Sequence, residues 1–135
     1  MNIILIISDQ HNPEYIGKIN GFTRTPNIND LLDQGTSFNS AYSQSPICSS
    51  TRAAMITGRF VHQTKVWDNS FAYDGKMKNY GNHFVENNIL FNTFGKLDFK
   101  PNQSYGFTNE YLPKHRENID ITSLYRDSEI IPRYD

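Results

Sequence analysis

The sequence predicts an α/β fold, a mostly parallel sheet flanked by helices and incomplete within these 135 residues. Three observations carry this expectation. Residues 2–7, NIILII, hold five consecutive branched aliphatic side chains after Asn2, the pattern of a strand buried on both faces. The segment TPNINDLLDQG that follows has helical spacing, and TSFNSAY after it alternates like a strand. A strand, helix, strand order of this kind needs crossover connections and produces parallel neighbours.

Taken in order, the first strand ends in Ser8-Asp9-Gln10-His11, so Asp9 and Gln10 fall at the carboxyl end of the strand, where open α/β sheets place their ligands. In TPNINDLLDQG, Thr25 suits the cap and Pro26 the first helical position. Ile28, Leu31 and Leu32 share one face, and Gly35 can stop the helix. Residues 36–42 are expected as a second strand. Ser49 to Ile56 should be helical, with Ser or Thr at the start and Gly58 at the end. Residues 64–79, with Trp67-Asp68-Asn69 and Asp74-Gly75, read as a loop with turns. A helix over about 79–88 and a strand over Ile89–Phe94 lead into Gly95-Lys96-Leu97-Asp98-Phe99. Beyond Pro101 the pattern weakens.

Composition narrows the function. Thirteen Lys and Arg against fourteen Asp and Glu leave a formal charge of −1. The basic residues are scattered, and the Lys76–Lys78 run is too short for a nucleic-acid footprint. A 37% hydrophobic share with mean hydropathy −0.61 is low for a chain that buries its own core, although 13% aromatic residues supply large apolar surfaces. That deficit points to missing neighbours. Ile3–Ile7 is too short for a membrane span, and nothing around it makes a signal peptide. A cytoplasmic protein with no membrane or nucleic-acid partner is expected.

The lone Cys48 has three readings by its type: inert core thiol, metal ligand or nucleophile. At the start of a helix it would meet backbone N–H groups and the positive end of the helix dipole, with Arg52 one turn onward on nearly the same side. A thiol in that setting has a lowered pKa. The same spacing also fits a packed cysteine beside a surface cation.

The stretch PICSSTRAAMITGR resembles the signature of the sulfatase family, C-x-P-S-R-x-x-x-L-T-G-R, within the alkaline phosphatase superfamily. IILIISDQH, TPNINDLLDQGTSF with AYSQSP, VHQTKVWDN and FGKLDF follow the family order over essentially the whole chain. The likeness is to the choline-sulfatase-like and phosphonate-monoester-hydrolase-like branch, which carries DQ after the first strand. It implies an alkaline phosphatase-like fold with a mixed, mostly parallel sheet, residues 1–135 being the amino-terminal part of the catalytic domain with no internal boundary, and a sulfuric ester hydrolase, with phosphonate or phosphate ester hydrolysis on the same scaffold as the alternative. A truncated, non-catalytic fragment is a third reading. By the resemblance, the formylglycine-generating enzyme would convert Cys48 to formylglycine, whose hydrated aldehyde attacks sulfur or phosphorus. Asp9 and the group derived from Cys48 would hold a divalent metal, calcium first and manganese as the alternative. Arg52 would position the formylglycine, Lys96 would contact the sulfate or phosphonate oxygens, and Gln10 and Asn69 would touch the substrate.

Three departures stand out. Ser50 occupies the signature's proline position, and Asp98 stands where most members carry the histidine of GKxH, although one branch of the family shows GKLD as here. The family's second metal-binding pair and a further lysine have no counterpart in the chain.

Overall fold

The computed structural model describes residues 2–116. They fall into two units, one ending at Tyr42 and the other beginning at Ser43.

In the first unit the expected buried strand does not form. Ile3, Ile4, Leu5 and Ile6 are 80%, 84%, 66% and 82% exposed, values that rule out burial on either face. Residues 36–42 are likewise not a strand, and Phe38 and Tyr42 are exposed. The physical reason is common to both. A two-faced apolar strand is stable only between partner strands and beneath covering helices, and the described residues of this unit hold no strand to pair with.

What does form is local. A 3-10 turn at Pro13–Tyr15 is capped by Asn12, whose Oδ1 accepts from the Glu14 amide at 2.9 Å. Helix α1, Gly17–Asn20, ends at Gly21, whose φ of 78° only glycine adopts freely. Helix α2, Pro26–Gln34, starts on the expected proline and stops at Gly35. Thr25 stands at the cap position, but its hydroxyl is used elsewhere, accepting from the Gly17 amide at 2.8 Å. Asn20 ties the turn after α1, donating to the Glu14 carbonyl at 2.6 Å and accepting from the Phe22 and Thr23 amides at 3.0 Å.

The second unit has a core. Helix α3 is Cys48–Thr57, α4 is Val61–Thr64 and α5 is Tyr80–Glu86. Strands β1, Asn92–Lys96, and β2, Asn109–Lys114, pair in parallel, with Asn92 opposite Asn109 and Phe94 opposite Tyr111. The sheet is the parallel kind the sequence predicts, but its members differ from those expected. β1 begins three residues later and ends two later than the expected Ile89–Phe94 strand, and β2 has no clear signal in NEYLPK. Its Pro113 lacks an N–H, which an edge strand tolerates. A shift in register between Phe94 and Lys96 surrounds Gly95, whose φ is 79°.

Ala53 and Ile56 of α3 bury against Val66, Tyr73, Phe99 and Tyr105. The three rings meet at 5.0–5.5 Å between centroids, Tyr73 edge-on to Phe99, geometry that adds about 0.5–1.5 kcal/mol per pair beyond area burial. Their hydroxyls are provided for. Tyr105 donates to the Lys100 carbonyl at 2.5 Å, and Tyr73 donates to the Met77 carbonyl while accepting from Asn79 Nδ2 at 3.1 Å. Burial pushes both phenols above their ordinary range. Asn79 then caps α5, its Oδ1 accepting from the Gly81 and Asn82 amides. After α4, residues 65–79 therefore serve as a loop that contributes to the core, joined to the segment after β1 by the Tyr73–Phe99 bridge.

Candidate functional site

Helix α3 begins at Cys48 itself, one residue earlier than the sequence predicts, with extended Ile47 as its cap and no side chain in the Ser or Thr role expected there. The substitute comes from far along the chain. Asn69 Oδ1 accepts from the Ser49 amide at 3.2 Å, satisfying one of the donors a helix leaves open at its amino end. The first intrahelical bond is from the Thr51 amide to the Ile47 carbonyl at 2.9 Å, and Gly58 ends the helix at φ 64°.

Arg52 lies one turn along α3, half-buried. Its Nη1 donates to the carbonyl of Lys96 at 2.6 Å, tying the helix to the last residue of β1. The Lys96 ammonium lies 3.3 Å from Asp98 Oδ2. Asp98, 3% exposed, adopts φ 58°. Its amide donates to the Lys114 carbonyl at 3.0 Å, so the left-handed turn after β1 is closed onto the end of β2. Asn69 thus meets the first turn of α3, which starts at Cys48, and Arg52 ties that helix to the backbone of Lys96.

Asp98 accepts from a second cation, Arg116, whose Nη2 lies 3.2 Å from the same Oδ2. Arg116 Nε also donates to Ser49 Oγ at 2.8 Å. Sequence reasoning missed Arg116, and it placed Ser49 only as the start of the helix. The bond between them joins residues 67 positions apart, and no local pattern announces it.

Asp9 and Gln10 belong to the first unit, where both are exposed and Gln10 takes φ 57°. Among the described residues no three His, Cys, Asp or Glu side chains gather as a metal-binding group. Calcium takes 6–8 oxygen ligands, so the described residues do not compose a complete site for it. His62 stacks on Phe60 at 5.7 Å and His83 Nδ1 lies 3.7 Å from Glu86, both consistent with structural roles. Trp67 is largely exposed.

Ser50 is fully buried, and its hydroxyl has no hydrogen-bond partner among the described residues. Its amide precedes the first intrahelical bond, a position in the first turn where proline is accepted. Ser50→Pro is therefore expected to keep α3 intact and raise stability by about 0.5–1 kcal/mol, by restricting the unfolded chain and removing an unsatisfied hydroxyl. Urea unfolding checks this. A loss of stability instead would show that the Ser50 amide makes a bond the fold needs.

A family model described as Sulfatase matches residues 1–119. Arylsulfatase K of Homo sapiens is 33% identical over 103 residues, which cover 73% of this chain and 18% of that protein. Choline-sulfatase of Rhizobium meliloti (strain 1021) is 30% identical over 112 residues, 78% of this chain and 21% of that protein. Iduronate 2-sulfatase of Mus musculus is 30% identical over 114 residues, 82% and 20% respectively. The chain spans about a fifth of the length of these relatives.

Proposed function

The chain belongs to the sulfatase family, and from that premise we propose that it forms part of a hydrolase of sulfate esters whose anion site is the amino end of α3. The observation that supports this reading is the bond from Arg52 Nη1 to the Lys96 backbone carbonyl at 2.6 Å, which ties the second turn of α3 to the residue of β1 whose ammonium is assigned to the anion. Such an arrangement holds a tetrahedral anion through amide donors, the helix dipole and two charges.

In this proposal Cys48 is matured by the formylglycine-generating enzyme, and the hydrated aldehyde supplies the nucleophilic hydroxyl. The chain's own residues do the rest. Arg52, its plane held by the backbone bond, keeps the residue at position 48 oriented and offsets charge. Lys96 donates to the ester oxygens as negative charge shifts onto them. Asn69, held by the Ser49 amide through its oxygen, places the nitrogen end of the same side chain as a donor for substrate, and Gln10 is assigned a substrate contact as well. Asp9 and the group derived from Cys48 are assigned to a divalent cation, calcium by its preference for hard oxygen donors. The remaining ligands must come from outside the described residues, and no step is derived through the ion. A cytoplasmic location is proposed with it. No helix among the described residues is long and apolar enough to cross a membrane.

The test pairs an aryl sulfate with the matching phosphonate monoester, assayed on the intact protein, with intact-mass measurement of the state of Cys48. The expected result is hydrolysis with preference for the sulfate, and the small mass loss that replaces a thiol by an aldehyde. Preference for the phosphonate would move the assignment to the alternative ester, and inactivity on both would overturn it.

A further inference from the structure

We propose that Arg116 is a positioning residue of the α3 site, one that fixes the helix start against the end of β1 and keeps the site positively charged despite the buried carboxylate of Asp98. The inference rests on reading the amino end of α3 as an anion site.

The charge distribution requires something of this kind. A carboxylate two residues after Lys96 and 3.3 Å from its ammonium would by itself cancel the charge that Lys96 brings to an anion. It would also repel that anion. Asp98 is 3% exposed, so water does little to screen it, and a buried charge of this sort persists only with partners. Arg116 is the second partner, at 3.2 Å on the same oxygen. Lys96 and Arg116 thus set two cations on one carboxylate oxygen. Remove Arg116 and, among the described residues, Lys96 is the cation left to Asp98.

Position follows from the same side chain. Arg116 Nε donates to Ser49 Oγ at 2.8 Å, and Ser49 is the fully buried neighbour of Cys48. The Arg116 amide donates to the Phe99 carbonyl at 3.0 Å, so the arginine is anchored by its backbone to the segment that carries Asp98. One guanidinium therefore spans from the helix start to the turn after β1. Its planar fork suits two simultaneous bonds in a way an ammonium does not.

The thiol of Cys48 offers a readout independent of turnover. In intact protein made without maturation, the rate of Cys48 alkylation by anionic iodoacetate is divided by that for neutral iodoacetamide. The ratio reports local potential, whereas a change in access or fold alters both rates together. The wild type is expected to exceed free cysteine in this ratio. Arg116→Gln should lower it by about fivefold, the scale of one charge near a protein surface. Arg116→Lys should largely restore the ratio, and Asp98→Asn should raise it. Should Arg116→Gln fail to fold, the Asp98→Asn arm decides alone. An unchanged ratio in the folded variants would overturn the inference. A wild-type ratio no higher than free cysteine would instead overturn the anion-site reading on which it rests, and absence of ester hydrolysis with the expected ratios would overturn only the assigned reaction.

Discussion

Arg52→Ala is expected to lower sulfate ester turnover by the intact protein by about two to three powers of ten, the loss typical of one preorganised electrostatic donor. Two consequences of the substitution act together. The charge one turn from position 48 disappears, and so does the 2.6 Å bond that holds β1 to α3 through the Lys96 carbonyl. A guanidinium has five N–H donors in a fixed plane, so a bond to a carbonyl orients the group without exhausting it. Arg52→Lys separates the two effects, since it keeps the charge and loses the fork. Turnover near that of wild type in the lysine variant would assign the effect to charge. A loss nearly as large as in the alanine variant would assign it to geometry. Unchanged rates in Arg52→Ala would remove the residue from the mechanism. Steady-state kinetics with kcat and KM resolved separately is the measurement.

The second large effect is on stability. Gly106 sits at φ +77°, and a Cβ there would run into the backbone of Gly81 and Asn82 at the start of α5. Backbone atoms cannot rotate away as a side chain would. Gly106→Ala should therefore cost about 2–4 kcal/mol, with about 1 kcal/mol from the left-handed conformation and the remainder from overpacking. That is a large share of the 5–15 kcal/mol that typically holds a domain folded. Gly58→Ala is the control. It has φ +64° with open space around the added carbon, so it should cost only the conformational part, about 1 kcal/mol. Urea unfolding midpoints of the two variants compare them directly, and equal shifts would mean that the close approach of Gly106 to α5 contributes nothing.

The structure divides the chain between what local patterns reveal and what they do not. Helix α2 begins at Pro26 and stops at Gly35, and α3 stops at Gly58, because proline and glycine act through their own backbone geometry wherever they stand. Cys48, Arg52, Asn69 and Lys96, the residues assigned to the proposed site, were legible as motif members, and three of them take part in bonds spanning 20 and 44 positions. Their partners were not. Asn69 replaces the expected Ser or Thr cap from a distant loop, and Arg116 reaches Ser49 across the unit, since a hydrogen bond depends on where two groups meet and not on the residues beside them.

By itself the sequence determined the family, the helix boundaries at proline and glycine and the parallel character of the sheet. Only the tertiary structure decided which strands exist and how the buried charges are shared. Ile3–Ile7 has every strand preference, yet stays exposed in a unit whose described residues hold no partner strand. NEYLPK has little such preference, yet becomes β2 because β1 offers it a ladder. Strand formation needs hydrogen bonds and apolar cover from another part of the chain, and a buried carboxylate such as Asp98 needs cations from wherever the fold delivers them.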